Sequence, residues 1–164
     1  DYSIVIKGGH LIDAKNNINE LMDVAIKDDK VVLVAKNIDP KQAQVIDAKG
    51  LYVTPGVIDI HSHNFFGTQE DHYLGDGFEA LPPDGFTFRS GVTTVVDAGG
   101  SGWKTFTKFK AQTIDHSKTR VLSLLNIVGE GMRGGAYEQN LNDMDAKMTA
   151  MVVRQHKEIV LPLA

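Results

Sequence analysis

Val57-Ile58-Asp59-Ile60-His61-Ser62-His63 is the stretch on which the reading of this chain turns. Its first four residues are mostly apolar and β-branched, which predicts a strand, and the polar end of that strand carries two imidazoles. Residues i and i+2 of a strand point to the same side, so His61 and His63 project together. In parallel α/β folds the C-terminal edge of the sheet is where ligands and catalytic groups collect. Two neutral imidazoles converging there supply half of a four-coordinate shell for a divalent metal. Asp59 lies two residues earlier on the same side, where a carboxylate can orient an imidazole from below. Isolated His-x-His pairs are common in proteins that bind no metal. The preceding Thr54-Pro55-Gly56 and apolar strand give this pair its weight.

Downstream, the pattern alternates between strands and helices. Residues 64–90 are mixed, with Phe78 to Ser90 expected to end in a helix before Gly91. Val92 to Val96 predicts a second buried strand, ending in Asp97-Ala98-Gly99-Gly100. Trp103 to Ile114 carries apolar residues at helical spacing, Arg120 to Val128 predicts a third strand, and Asn142 to His156 a further helix. Met144, Met148, Met151 and Val152 share a face of that helix, which predicts core packing there. Lys157 to Leu161 is expected to begin a fourth strand. Apolar strands alternating with helices are the mark of a parallel sheet with crossovers. At about 31 residues per βα unit, the chain from Tyr52 onward has room for three to four units of an eight-unit barrel.

Upstream, the style is different. Ser3 to Lys7, His10 to Ile12, Asp23 to Lys27, Val31 to Ala35, Val45 to Asp47 and Leu51 to Val53 read as short strands. Polar turns separate them, with a break at Gly8-Gly9 and turns at Asp13–Asn17 and Asp28-Asp29-Lys30. Such a segment suggests a small sandwich-like sheet, too small to bury both faces alone. The expected organisation is therefore residues 1–52 in part of a small β-sandwich domain, followed by residues 53–164 in a parallel α/β domain.

Composition excludes several classes of function. The 164 residues are 42% hydrophobic and 23% charged, with a net charge of −4, ordinary for a globular protein and without the basic footprint of a nucleic-acid binder. No polybasic cluster addresses an anionic membrane, and no apolar run approaches the length of a spanning helix. With no cysteine, disulfides, thiolate metal sites and cysteine nucleophiles are out. Gly129-Glu130-Gly131-Met132-Arg133-Gly134-Gly135 lacks the Lys-Ser/Thr of a phosphate loop. The absence of an initial methionine before Asp1 fits a removed signal peptide or a trimmed chain, so either a cytoplasmic or a periplasmic location is expected.

Val53 through His63 resembles the first barrel strand of the amidohydrolase superfamily, and Ile4 to Asp13 resembles the start of that superfamily's N-terminal β-sandwich. Asp84-Gly85-Phe86, Ser90 to Gly99, Ser117 to Val121 and Asn126 to Gly129 resemble a narrower group. These are the amidohydrolase/deacetylase metallohydrolases related to dihydroorotases and D-aminoacylases. The resemblance reaches to about Val160. It implies an N-terminal β-sandwich segment followed by the first half of a metal-dependent (β/α)₈ barrel. It also implies one or two divalent metal ions, usually zinc, held in part by His61 and His63. The expected activity is hydrolysis of a C–N amide bond, of deacetylase or amidohydrolase type, by metal-activated water on a small-molecule substrate. Alternatives are an ester hydrolase of the same superfamily, or a barrel that binds without chemistry.

The remaining ligands and the general base of the resembled group fall beyond residue 164, so no catalytic base maps onto this chain. Where the group places a metal-bridging lysine, after Glu158-Ile159-Val160, this chain reads Leu161-Pro162-Leu163-Ala164. The 164 residues alone are accordingly expected to be inactive and to associate with another copy or with the missing half. Asp97, at the end of the second strand, can face the metal or serve as a turn aspartate. Arg133 can anchor a substrate carboxylate or be an ordinary loop arginine. His72 reads as a solvated loop histidine, and His10, His116 and His156 carry no assignment.

Overall fold

The computed structural model describes residues 1–67 and 80–161, and its contacts divide the chain between Pro55 and Gly56 into two compact units. Both sheets and helices are present, so the chain is mixed α/β.

The first unit is one five-stranded sheet. Its strands are β1 (Ile4–Asp13), β2 (Ile18–Lys27), β3 (Lys30–Ala35), β4 (Gln44–Asp47) and β5 (Tyr52–Val53), in the order β3-β2-β1-β4, with β5 also pairing with β1. Strands β1, β2 and β3 form an antiparallel meander, and β4 and β5 run parallel to β1. The β2–β3 turn is made by Asp28 and Asp29, both with left-handed φ (50° and 60°), the geometry of a tight hairpin that matches strand twist. Gly8-Gly9 does not break the first strand. The register with β2 slips between Ile6 and Gly9, and Gly8 takes φ +70°, so the glycines form a bulge inside one long strand.

Asp23 fixes that bulge. Its carboxylate accepts the Gly8 N–H at 2.8 Å, the Ile38 N–H at 2.8 Å and the Lys7 ammonium at 2.6 Å. Burial opposes the charged form of Asp23, but these donors outweigh it and hold its carboxyl below the usual carboxylate range. A folded-state value below the unfolded one adds stability that is fully present above the unfolded value, about 3.9, and is lost as pH falls through the folded value. Asp23→Asn should therefore be less stable than the parent at pH 7, with the deficit closing as pH drops below about 4. Urea denaturation of both proteins from pH 7 down to the limit of folding tests this; a deficit independent of pH rules it out.

The second unit holds a parallel three-stranded sheet, β6-β7-β8, made of β6 (Val57–Ser62), β7 (Val92–Gly102) and β8 (Arg120–Asn126). Val95, Val121 and Leu125 present one face of this sheet to Phe106 and Phe109, and Phe65 and Val160 complete that buried cluster. The helices between the strands depart from the sequence pattern. Trp103 to Ile114 is not one α-helix: α1 (Phe106–Phe109) is a single turn that widens into a π-turn over Lys110–Ile114. The expected helix before Gly91 is two 3₁₀ turns, Pro83–Gly85 and Phe88–Ser90, and its Phe78-Glu79 start lies outside the described residues.

After α2 (Gly135–Glu138), α3 runs over Ala146–Gln155, capped by Asp145, whose side chain accepts the Met148 N–H. α3 turns Val152 and Val153 to the core; Val152 belongs to the face expected from the sequence, Met148 is half-buried, Met151 is exposed and Met144 precedes the helix. Lys157 to Leu161 forms no full strand. A single parallel bridge pairs Val160 with Ser123, and residues 162–164 lie outside the described residues. Strand β6 is apolar but not buried: Val57, Ile58 and Ile60 are 51%, 60% and 75% exposed, and among the described residues β6 pairs with β7 alone. Among the described residues no helix is long and apolar enough to cross a membrane.

Candidate metal centre

His61 closes β6 one residue before its end and His63 follows it, so both rings leave the same edge of the sheet. Their centroids are 5.4 Å apart, edge to face. His61 is exposed and His63 half-buried, and the Nδ1 atom of His63 is buried without a partner among the described residues. An unpartnered buried ring nitrogen is costly unless something else engages it. That observation and the all-imidazole donor set fit a divalent ion better than they fit a packed core histidine. Among the described residues no group of three His, Cys, Asp or Glu side chains could hold a metal by itself. The pair by itself offers two imidazole donors.

Asp59 acts on the main chain: its Oδ1 accepts the His61 backbone N–H at 3.0 Å within the last residues of β6, where the register with β7 is irregular. Asp97 is fully buried. It shares a strand face with Val95, which packs on Phe106 and Phe109, so it sits on the helix side of β7. From there Oδ2 accepts the N–H of Asn64 at 2.7 Å and of Phe65 at 3.3 Å, and Oδ1 accepts the N–H of Gly100 at 2.7 Å. Burial pushes its carboxyl above the usual carboxylate range, with the three N–H groups and the nearby His63 imidazole pulling the other way.

Arg133 sits in the loop after β8, where it pairs with Glu130 at 3.2 Å and lies 4.6 Å from the Tyr137 ring centroid. Its neighbour Lys104, in the loop after β7, bridges Asp143 and reaches Glu130 at 3.9 Å. The two loops are thus tied together at the C-terminal edge of the sheet. His72 lies outside the described residues. A groove of about 870 Å³ runs between β8 and α3, lined by Leu124, Ile127, Ala150 and Val153 among others, but neither histidine lines it. The chemistry of the imidazole pair outweighs the size of this apolar groove in locating the site.

Asn64 and Thr113 were not evident in the sequence as part of this region. Asn64 is completely buried, with its Oδ1 accepting the Ser62 hydroxyl at 2.6 Å and its Nδ2 donating to Leu81 O at 3.1 Å. Thr113 donates its hydroxyl to Asn64 O at 3.2 Å. Both are ordinary polar residues whose roles arise only from contacts distant in sequence.

No family model matches the chain. A dihydroorotase of Lactococcus lactis subsp. lactis (strain IL1403) is 36% identical over 86 residues, a match spanning 52% of this chain and 20% of that protein. The crystal structure of an adenine deaminase superposes with a TM-score of 0.78 at 28% identity, over 98% of this chain and 40% of that one. That of a dihydroorotase gives 0.76 at 20% identity, over 98% and 41%, a likeness of fold. The chain thus spans less than half the length of the proteins it matches. Relatives and folds together indicate the amidohydrolase superfamily, over the part of the chain that they share.

Proposed function

We propose that the protein carrying this chain is a metal-dependent hydrolase of a C–N bond in a small amide or cyclic amide, with His61 and His63 as two of its metal ligands. The observation that carries this reading is the imidazole pair at the C-terminal edge of a parallel sheet, with His63 Nδ1 buried and unpartnered among the described residues. In this reading residues 1–52 belong to a β-sandwich. Residues 53–164 are the first three to four units of a (β/α)₈ barrel, a fold whose active sites gather at that same edge. One or two divalent ions, zinc first among them, complete their shell with groups from outside the described residues, as does the general base.

When bound, the ion supplies Lewis acidity toward a carbonyl oxygen and brings the pKa of water close to neutrality. The chain's own residues hold His61 and His63 in place. Asp59 fixes the His61 main chain, and Asp97 fixes the main chain after His63. The loop of Arg133 and Lys104 lies at the same end of the sheet, where a cation can meet an anionic substrate group, although in this structure both side chains are engaged with carboxylates.

The name of the sequence relative favours a cyclic ureide over an acylated amine, which makes the dihydroorotase-type reaction the first choice and deacetylation the second. Parallel assays of the intact protein with dihydroorotate-type cyclic amides, N-acetylated amines and acyl esters, with and without a chelator, discriminate these. Turnover of a C–N substrate that stops with chelation is expected. Chelator-insensitive turnover, or turnover of esters alone, defeats the proposal.

A further inference from the structure

We infer that Asp97 and Thr113 are positioning residues that clamp the main chain just after His63 from two sides and so set the aim of its imidazole. The clamp has two jaws. Asp97, on β7, accepts the N–H groups of Asn64 and Phe65. Thr113, on the π-turn, donates to the carbonyl of Asn64, and its neighbour Gln112 donates Nε2 to the carbonyl of Gly67 at 2.8 Å. Consecutive peptide groups are therefore held by their donors on one side and their acceptors on the other.

The grip is built rather than incidental. Asp97 and Asn64 are 0% exposed and Thr113 is 2% exposed. A side chain at Gly100 would put its Cβ 2.8 Å from both Asp97 carboxylate oxygens, so the room around the carboxylate depends on that glycine. The π-turn belongs to the same device. Widening the helix by one residue brings Gln112 and Thr113 to the 64–67 segment, and π-turns inside helices gather at functional sites. His63 itself has no hydrogen bond at Nδ1 among the described residues to orient its ring. Besides its edge-to-face contact with His61, the backbone on which it stands is what the described residues offer to set its direction.

The inference rests on the metal reading for one arm of its test, and the other arm needs no metal. In the metal-free intact protein, selectively labelled histidine should give one sharp set of His63 ring resonances. Asp97→Asn replaces one carboxylate oxygen with a donor, so either the Gly100 or the Asn64 and Phe65 N–H groups face a donor instead of an acceptor. Thr113→Val removes the hydroxyl at nearly constant volume. In both variants the His63 resonances should broaden or split, and the Asn64 amide should exchange at least about tenfold faster. In the metal arm, Co²⁺ affinity should weaken by about tenfold or more, as when an outer partner of a metal ligand is removed.

Thr113→Ser keeps the hydroxyl and should restore both readouts. Thr119→Val removes another buried hydroxyl, bonded to Asp84 at 2.7 Å, and should disturb neither. Unchanged His63 resonances in both variants overturn the inference whatever happens to Co²⁺. So does unchanged Co²⁺ affinity in a parent that binds the ion, or a Thr119→Val protein that loosens the ring equally. A parent that binds no Co²⁺ while its His63 ring responds to the variants defeats the metal reading and leaves the positioning role standing.

Discussion

The intact protein with both His61→Ala and His63→Ala is expected to lose its tightly held divalent metal and its metal-dependent hydrolysis together. Loss of an outer partner of a ligand typically costs about 10–100-fold in metal affinity, so loss of two ligands should cost more than about 1,000-fold. The two rings meet edge to face, and His63 Nδ1 has no partner among the described residues, so no described hydrogen bond is lost from that atom. The variant should therefore fold, and its melting temperature without metal should stay near that of the parent. Added Zn²⁺ should raise the parent's melting temperature, because a ligand that binds only the folded state stabilises it by mass action, and should leave the variant unmoved. Metal content by elemental analysis and the thermal shift give separate readings. Undiminished metal in the double variant rules out the assignment of these two histidines.

The largest structural effect is expected at Gly102. The loops after β7 and β8 touch backbone to backbone: Lys104 N–H donates to Gly129 O at 3.0 Å, and Met132 N–H to Gly99 O at 3.1 Å. A Cβ at Gly102 would stand 1.7 Å from the carbonyl oxygen of Val128 and 2.6 Å from that of Gly129. These atoms are main chain and cannot swing aside, so Gly102→Ala must force the loops apart. Overpacking of this kind costs about 1–3 kcal/mol in a core and more where backbone has to move, so a loss of about 3 kcal/mol or more is expected. Gly131→Ala should act in the same direction, since its Cβ would meet Gly100 O at 2.3 Å. Gly135→Ala opens α2 with nothing within 4 Å and should be close to neutral, which makes it the control. Urea midpoints for the three variants test this; equal midpoints for Gly102→Ala and Gly135→Ala refute it.

These cases show why part of the molecule was legible in the sequence and part was not. The pairing of His61 with His63 follows from strand period alone, and the strand positions followed from β-branched runs bounded by turn residues. What the sequence could not display were decisions made by distant partners. Gly8-Gly9 reads as a break, yet Asp23 accepts the Gly8 N–H and keeps the strand continuous through a bulge. Trp103 to Ile114 reads as one helix, yet the bonds from Gln112 and Thr113 to the 64–67 segment accompany a widened turn. The methionines and valines of α3 are equally apolar, and only packing against Phe106 and its neighbours selects Val152 and Val153. Asp97 was visible as a strand-end carboxylate, but the partners it takes across the sheet depend on register.

The π-turn has one more consequence, for how this region can change over evolutionary time. Each residue of an α-helix advances about 100° around the axis. Removing one codon between Phe106 and Ile114 would restore an ordinary helix and swing Thr113 about a quarter-turn away from Asn64. Substitutions on the exposed Thr107 and Ala111 leave that angle alone. The exposed positions should therefore drift in composition while Phe106, Phe109, Thr113 and the segment's length stay fixed, and a natural variant one residue shorter here would need a new donor for the Asn64 carbonyl.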